Sequence, residues 1–165
     1  MKKLFLSLTV AFSVGFHAQK IEIFKLKKFR VAVLNDTVKE SSGLNFFGYE
    51  LFTFNDSGNP AELFKIDSNS GKILKTFKIN AENTDWEALA NDGNNFFIGD
   101  FGNNAGKRKD LKVYKIPYHD GVADNAAVQI LPFHYPEQKD FTTKNLITDY
   151  DLEAMIYLNG KLHLF

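Results

Sequence analysis

Cysteine is absent from the 165 residues, so no disulfide can staple the fold. A chain of this kind must be held by its core, by sheet hydrogen bonds or by bound metal. Charge of one sign is also missing: 20 basic and 20 acidic side chains give a formal net charge of zero. That balance excludes the electrostatic footprint of a nucleic-acid or anionic-membrane partner. No glycine pattern suited to cradling phosphate is present, and Ser57 lacks the Gly-x-Ser-x-Gly elbow of a serine hydrolase. His119, His134 and His163 have no spacing suited to zinc. After residue 20 no helical period is evident, and no apolar run is long enough to span a membrane.

The one long apolar stretch, residues 4–16, follows Lys2 and Lys3 and precedes Ala18-Gln19. A positive start, a short apolar centre and a small residue at the end read as an export leader over residues 1–19. The expected product is secreted or periplasmic, carries 18 basic against 20 acidic side chains and does not insert in a membrane.

Phenylalanine is abundant, with 17 copies, and apolar residues make up 44% of the chain. Short apolar or alternating runs occupy 29–34, 50–54, 62–66, 73–79, 95–99, 111–116, 128–133, 153–158 and 161–165. Turn clusters such as Asn55-Asp56-Ser57-Gly58, Ser68-Asn69-Ser70-Gly71 and Asn91-Asp92-Gly93 separate them. Runs of that length between such turns predict strands in an all-β meander. Asn159-Gly160 is the strongest hairpin signal, because a type I′ turn needs positive φ at both residues.

An internal repeat organises these strands. Glu40-Ser41-Ser42-Gly43-Leu44, Asp85-Trp86-Glu87-Ala88-Leu89-Ala90 and Asp151-Leu152-Glu153-Ala154-Met155 each lead into an apolar strand, a turn and a second strand. The glutamates at 40, 87 and 153 are 47 and 66 residues apart, and the first interval matches a four-stranded propeller blade. Residues 20–165 are therefore expected to form the N-terminal part of a β-propeller, two blades and part of a third. The chain stops at Phe165 inside an apolar run, and an open hydrophobic strand invites aggregation. The expectation is a truncated propeller in which residues 29–34 pair with the last blade of an intact, monomeric ring.

Asn55-Asp56-Ser57-Gly58-Asn59-Pro60, Asp85-Trp86-Glu87-Ala88-Leu89-Ala90 and Gly99-Asp100-Phe101-Gly102-Asn103-Asn104 together resemble a family of secreted bacterial propellers. That family lies near the esterase-like phytase, gluconolactonase-like and SdiA-regulated propellers. The resemblance covers residues 40–165. It implies a ring of about six blades and an ion, often calcium, near the axis. It implies no activity, since such propellers include hydrolases, lactonases and binding proteins.

The innermost strands of a propeller line its channel, so Glu40, Glu87 and Glu153 are expected to gather at one mouth. Like charges that close need a cation, and calcium takes six to eight oxygens from carboxylates, amide carbonyls and water. The competing reading makes each glutamate structural, bonded to a neighbouring blade. Asp56 and Asp100, each ending a second strand, are further candidate calcium ligands, with an Asx-turn as their structural alternative. Asp85 and Asp151, two residues before a repeated glutamate, suit a supporting place beside the site. Glu87 or Glu153 would be the base if the protein were a metal-dependent phosphoesterase or lactonase rather than a binding or scaffolding module. Asp67-Ser68-Asn69-Ser70-Gly71 has oxygens at alternate positions but no closing glutamate, and suits a hairpin turn better. Lys107-Arg108-Lys109 reads as a solvated loop tip or an attractor of anions. Trp86 is expected to face away from the flanking carboxylates and pack between blades.

Overall fold

Side chains alternate between the two faces of a strand, so a run with apolar residues on both faces needs a covering layer on each side. The computed structural model describes residues 25–142 and 147–165. These belong to two units, Met1–Arg30 and Val31–Phe165. What is described of the first is a 3-10 turn, Leu26–Phe29, with no buried residue. The expected leader lies outside the described residues.

In the second unit, β1 (Ser41–Phe47), β2 (Glu50–Asn55), β3 (Glu62–Ile66) and β4 (Ile73–Lys78) form an antiparallel meander in chain order. A second meander follows with β5 (Trp86–Asn91), β6 (Asn95–Asp100) and β7 (Lys112–His119). Two strands then pair with β7: the short β8 (Val122–Ala123) at its C-terminal end and β9 (Gln129–Pro132) along its first half. Finally β10 (Met155–Leu158) and β11 (Lys161–Leu164) make a hairpin around Asn159-Gly160, both at positive φ as the turn requires. The described residues are thus all-β, their antiparallel sheets are compatible with blades, and those sheets remain open. Residues 29–34, expected as a strand that pairs with the last blade of an intact ring, carry no ladder among the described residues.

Three apolar layers separate these elements. Phe52, Phe54 and Leu63 of the first meander face Trp86, Leu89, Phe96 and Ile98 of the second. Phe97, Val113 and Ala88, from the opposite face of the second meander, pack with Leu152 and Met155. On the outer face of the first meander, Phe64 and Ile66 pack with Val38. Each fully buried side chain of this size contributes about 1.5–3 kcal/mol. Trp86 is wholly enclosed between the two meanders, edge-on to Phe54 at 5.3 Å, with its indole N–H donating to the Glu82 carbonyl at 2.8 Å.

Side-chain amides join the opening strands of successive meanders. Asn45 Nδ2 donates to the Leu89 carbonyl at 3.0 Å, and Asn91 Nδ2 donates to Asn45 Oδ1 and the Phe46 carbonyl at 2.8 and 2.7 Å. Gly43 permits the approach, since a Cβ there would run into the Phe54 ring and Leu89.

A β-bulge at the start of each opening strand fixes the internal repeat. Ser41 pairs with Asn55 and Gly43 with Phe54, leaving Ser42 extra; Trp86 pairs with Asp100 and Ala88 with Gly99, leaving Glu87 extra. By pairing partner, Ser42 corresponds to Glu87, Glu40 to Asp85, and Asn55 to Asp100. The hydrogen bonds agree. The Glu40 and Asp85 carbonyls accept from Asp56 N and Phe101 N, and their own N–H groups donate to Asn55 Oδ1 and Asp100 Oδ1. The expected matches of Glu40 with Glu87 and of Asp56 with Asp100 are therefore two residues and one residue out of register. Glu153 keeps its match with Glu87, since each follows a buried apolar residue, Leu152 or Trp86.

Candidate metal centre

β5 begins with Trp86 driven into the core, which leaves Asp85 and Glu87 on either side of it at the strand's polar mouth. The turn after β2 brings in Asp56. Carboxylate oxygens of Asp56, Asp85 and Glu87 lie within 4.8 Å of one another, all three residues being half-buried. Asn83 Nδ2 holds the Asp56 turn by donating to the Asn55 and Asp56 carbonyls at 3.0 and 2.9 Å. Ser42 Oγ donates to Glu87 Oε2 at 2.9 Å, and the Ser57 side chain hydrogen-bonds Asp85.

The loop after β6 closes over this group as bare backbone. A Cβ on Gly102 would meet the Asp85 carboxyl and Glu87 Oε1, so any larger residue there would have to displace these carboxylates. Arg108 pins that loop by donating to the Gly102 carbonyl at 3.0 Å.

Crowded, partly desolvated carboxylates resist ionisation. Burial raises the Glu87 carboxyl to about 7, and the charges of Asp56, Glu153 and Asp85 add to the rise. Burial likewise raises Asp85, with help from Asp56 and Asp100. Glu153 is raised by burial and then by Asp151, Asp85 and Asp56, so the third repeat also faces this cluster.

Of the five ligands expected from sequence, Asp56 and Glu87 are brought together and Glu153 comes within electrostatic reach. Glu40 is exposed and its Oε2 accepts from Asn59 Nδ2 at 3.1 Å. Asp100 is fully buried and ion-paired with Arg108 at 2.8 Å and Lys112 at 3.4 Å. Asp85, read as a supporting residue, is instead part of the cluster. Its signal was the two-residue spacing to Glu87. Asp151, at the corresponding place in the third repeat, grips the loop above it by accepting from Asn103 N at 2.6 Å and Asn104 Nδ2 at 2.7 Å. The Asp67 carboxylate accepts from Ser70 and Asn69 in a turn closed by Gly71, which is the hairpin reading. His119, His134 and His163 are not among the clustered residues.

The raised carboxyls predict a pH dependence. Between the ordinary value of 4.5 and about 7, folded protein holds a proton on Glu87 that the unfolded chain has lost. Metal-free stability should therefore fall as pH rises through that window, by on the order of 1–2 kcal/mol after solvent screening is allowed for. Asp85 and Glu153 act with the same sign. Urea midpoints at the two ends of the window should converge in Glu87→Gln; an unchanged pH slope in that variant would refute the assignment.

No family model matches the chain. A search of curated proteins likewise returns no match.

Proposed function

We propose that the chain is part of an exported β-propeller that binds a divalent cation, calcium foremost, through Asp56, Asp85 and Glu87, and serves as a binding or scaffolding module. The convergence of three carboxylate oxygens within 4.8 Å carries this reading. Oxygen ligands of that charge suit a hard cation, and water or backbone carbonyls supply the rest of a calcium shell. Glu153 stands as a fourth acidic contributor. The propeller assignment draws support from the two successive antiparallel sheets, of four and five strands, and the polar bonds between their opening strands. The export assignment draws on the positive start, short apolar centre and small closing residue of residues 1–19.

Calorimetry tests the cation site. Calcium should bind with one-to-one stoichiometry and raise the melting temperature, and Asp85→Asn or Glu87→Gln should weaken binding about tenfold or more. Binding that both variants retain would refute it. A hydrolytic reading rests on one further observation, the Glu87 carboxyl near 7, where a general base works best at neutral pH. Calcium-dependent turnover of phosphate esters or lactones, abolished by Glu87→Gln, is what that reading requires.

A further inference from the structure

Arg108 connects the carboxylate-bearing loop to a second concavity. Its guanidinium takes Asp100 and the Gly102 carbonyl, and its side chain forms part of the wall of a cavity of about 410 Å³. That volume lies within the range of small-molecule sites.

Two segments build this cavity, the loop leading into β7 and the stretch after β9. Gln138 locks them together: its side chain is buried and donates to the Gly106 carbonyl at 2.9 Å. The apolar lining consists of Leu111, which is buried, and the rings of Phe133, Tyr135 and Phe141. Phe133 is held edge-on by Phe101 at 6.3 Å and by Tyr135 at 6.2 Å, and Tyr135 rests on Tyr150 at 5.1 Å. Those neighbours fix the walls before any ligand arrives.

The charged side chains of the lining have one sign. They are Arg108, whose charge is met by Asp100 and Asp110, together with Lys109 and Lys139, and no carboxylate is among the described lining residues. In a chain of zero net charge this separation is local. Lys109 holds its ammonium 4.6 Å above the centre of the Phe141 ring, and Lys139 donates to the Pro136 carbonyl at 2.6 Å. Among the described residues neither lysine is in an ion pair. An aromatic wall beside unpaired cations suits a flat ligand that ends in a negative charge.

We infer that this cavity binds a small organic anion with a planar apolar body, of the aryl carboxylate class, its ring against Phe133, Tyr135 and Phe141 and its carboxylate toward Lys109 and Lys139. The site is independent of the cation site, although both draw on Arg108. Recognition is divided between the two parts of the ligand. The rings supply apolar contact, and the lysines discriminate the anion from a neutral isostere.

Calorimetric titration of the full chain with 2-naphthoate and with 2-naphthamide, which keeps the shape and lacks the charge, tests the inference. Naphthoate should bind saturably, and naphthamide about tenfold or more weakly. The exposed pair Lys109→Ala and Lys139→Ala, made together, should weaken naphthoate by about tenfold and leave naphthamide within about twofold. Phe141→Ala should weaken both ligands. Asp85→Asn should leave naphthoate affinity unchanged, which separates this site from the carboxylate cluster. Equal affinity for the two ligands, no saturable naphthoate binding, or full affinity in the double lysine variant would overturn the inference. The comparison of the two ligands on unaltered protein needs no variant to fold.

Discussion

Replacing Arg108 with alanine is expected to cost about 3–5 kcal/mol of unfolding free energy, the range found when one partner of a buried ion pair is removed. Asp100 has no exposed surface, and Arg108 supplies its closest cationic contact at 2.8 Å. The substitution leaves Asp100 with Lys112 at 3.4 Å and the Asp85 N–H at 3.1 Å. It also strips a donor from the Gly102 carbonyl at the edge of the carboxylate cluster. Adding Asp100→Asn to Arg108→Ala should restore much of the loss. The corresponding position in the first meander is Asn55, whose buried amide accepts from Glu40 N as Asp100 accepts from Asp85 N. Urea unfolding of the two single variants and the double variant forms a cycle. Strict additivity of the two losses would show that Arg108 does not neutralise Asp100.

Truncating Trp86 to alanine should have an effect of the same order, about 3–5 kcal/mol, through the cavity it opens. The indole is fully enclosed between the two meanders, touching Phe54 and Tyr114, so neither sheet can close the gap without moving its backbone. Trp86→Phe separates the contributions: it keeps most of the packing and loses the hydrogen bond to the Glu82 carbonyl. Its smaller loss, about 1–2 kcal/mol, reflects that bond and the residual volume. A cost below about 1 kcal/mol for Trp86→Ala would mean that the meanders do not rely on this contact.

Strands were the most legible part of the sequence. Short apolar or alternating runs between Gly, Asn and Asp clusters locate β3 to the residue and β6 to within one, and the Asn159-Gly160 hairpin forms as its turn chemistry requires. Residues 29–34 have strand-like composition, but composition cannot supply a pairing partner. The repeat was legible in outline and wrong in register. A bulge inserts a residue without changing composition, so counting from glutamate to glutamate aligned Glu40 with Glu87, where the ladder aligns Ser42 with it. The same slip paired Asp56 with Asp100. In the fold, one joins the carboxylate cluster and the other is buried against Arg108. Asp85 was underrated because a spacing shows which face a side chain takes, not which loop meets it there. In sequence, Lys107-Arg108-Lys109 reads as a solvated loop tip or an attractor of anions. The place of Arg108 and Lys109 in the wall of an aromatic cavity depends on residues 133–141, which run from the end of one strand-like run into an unpatterned stretch and are brought near by Gln138.

Terbium luminescence tests the cation site most directly. Terbium takes the oxygen ligands that calcium takes and emits when a neighbouring indole transfers energy to it. Trp86 is the chain's one tryptophan and lies between Asp85 and Glu87 in sequence. With excitation of that indole, a three-carboxylate site predicts saturable terbium emission that excess calcium reverses and that Asp85→Asn and Glu87→Gln abolish. Emission that never rises above the buffer, or that persists undiminished in both variants, would contradict a cation site at Asp56, Asp85 and Glu87.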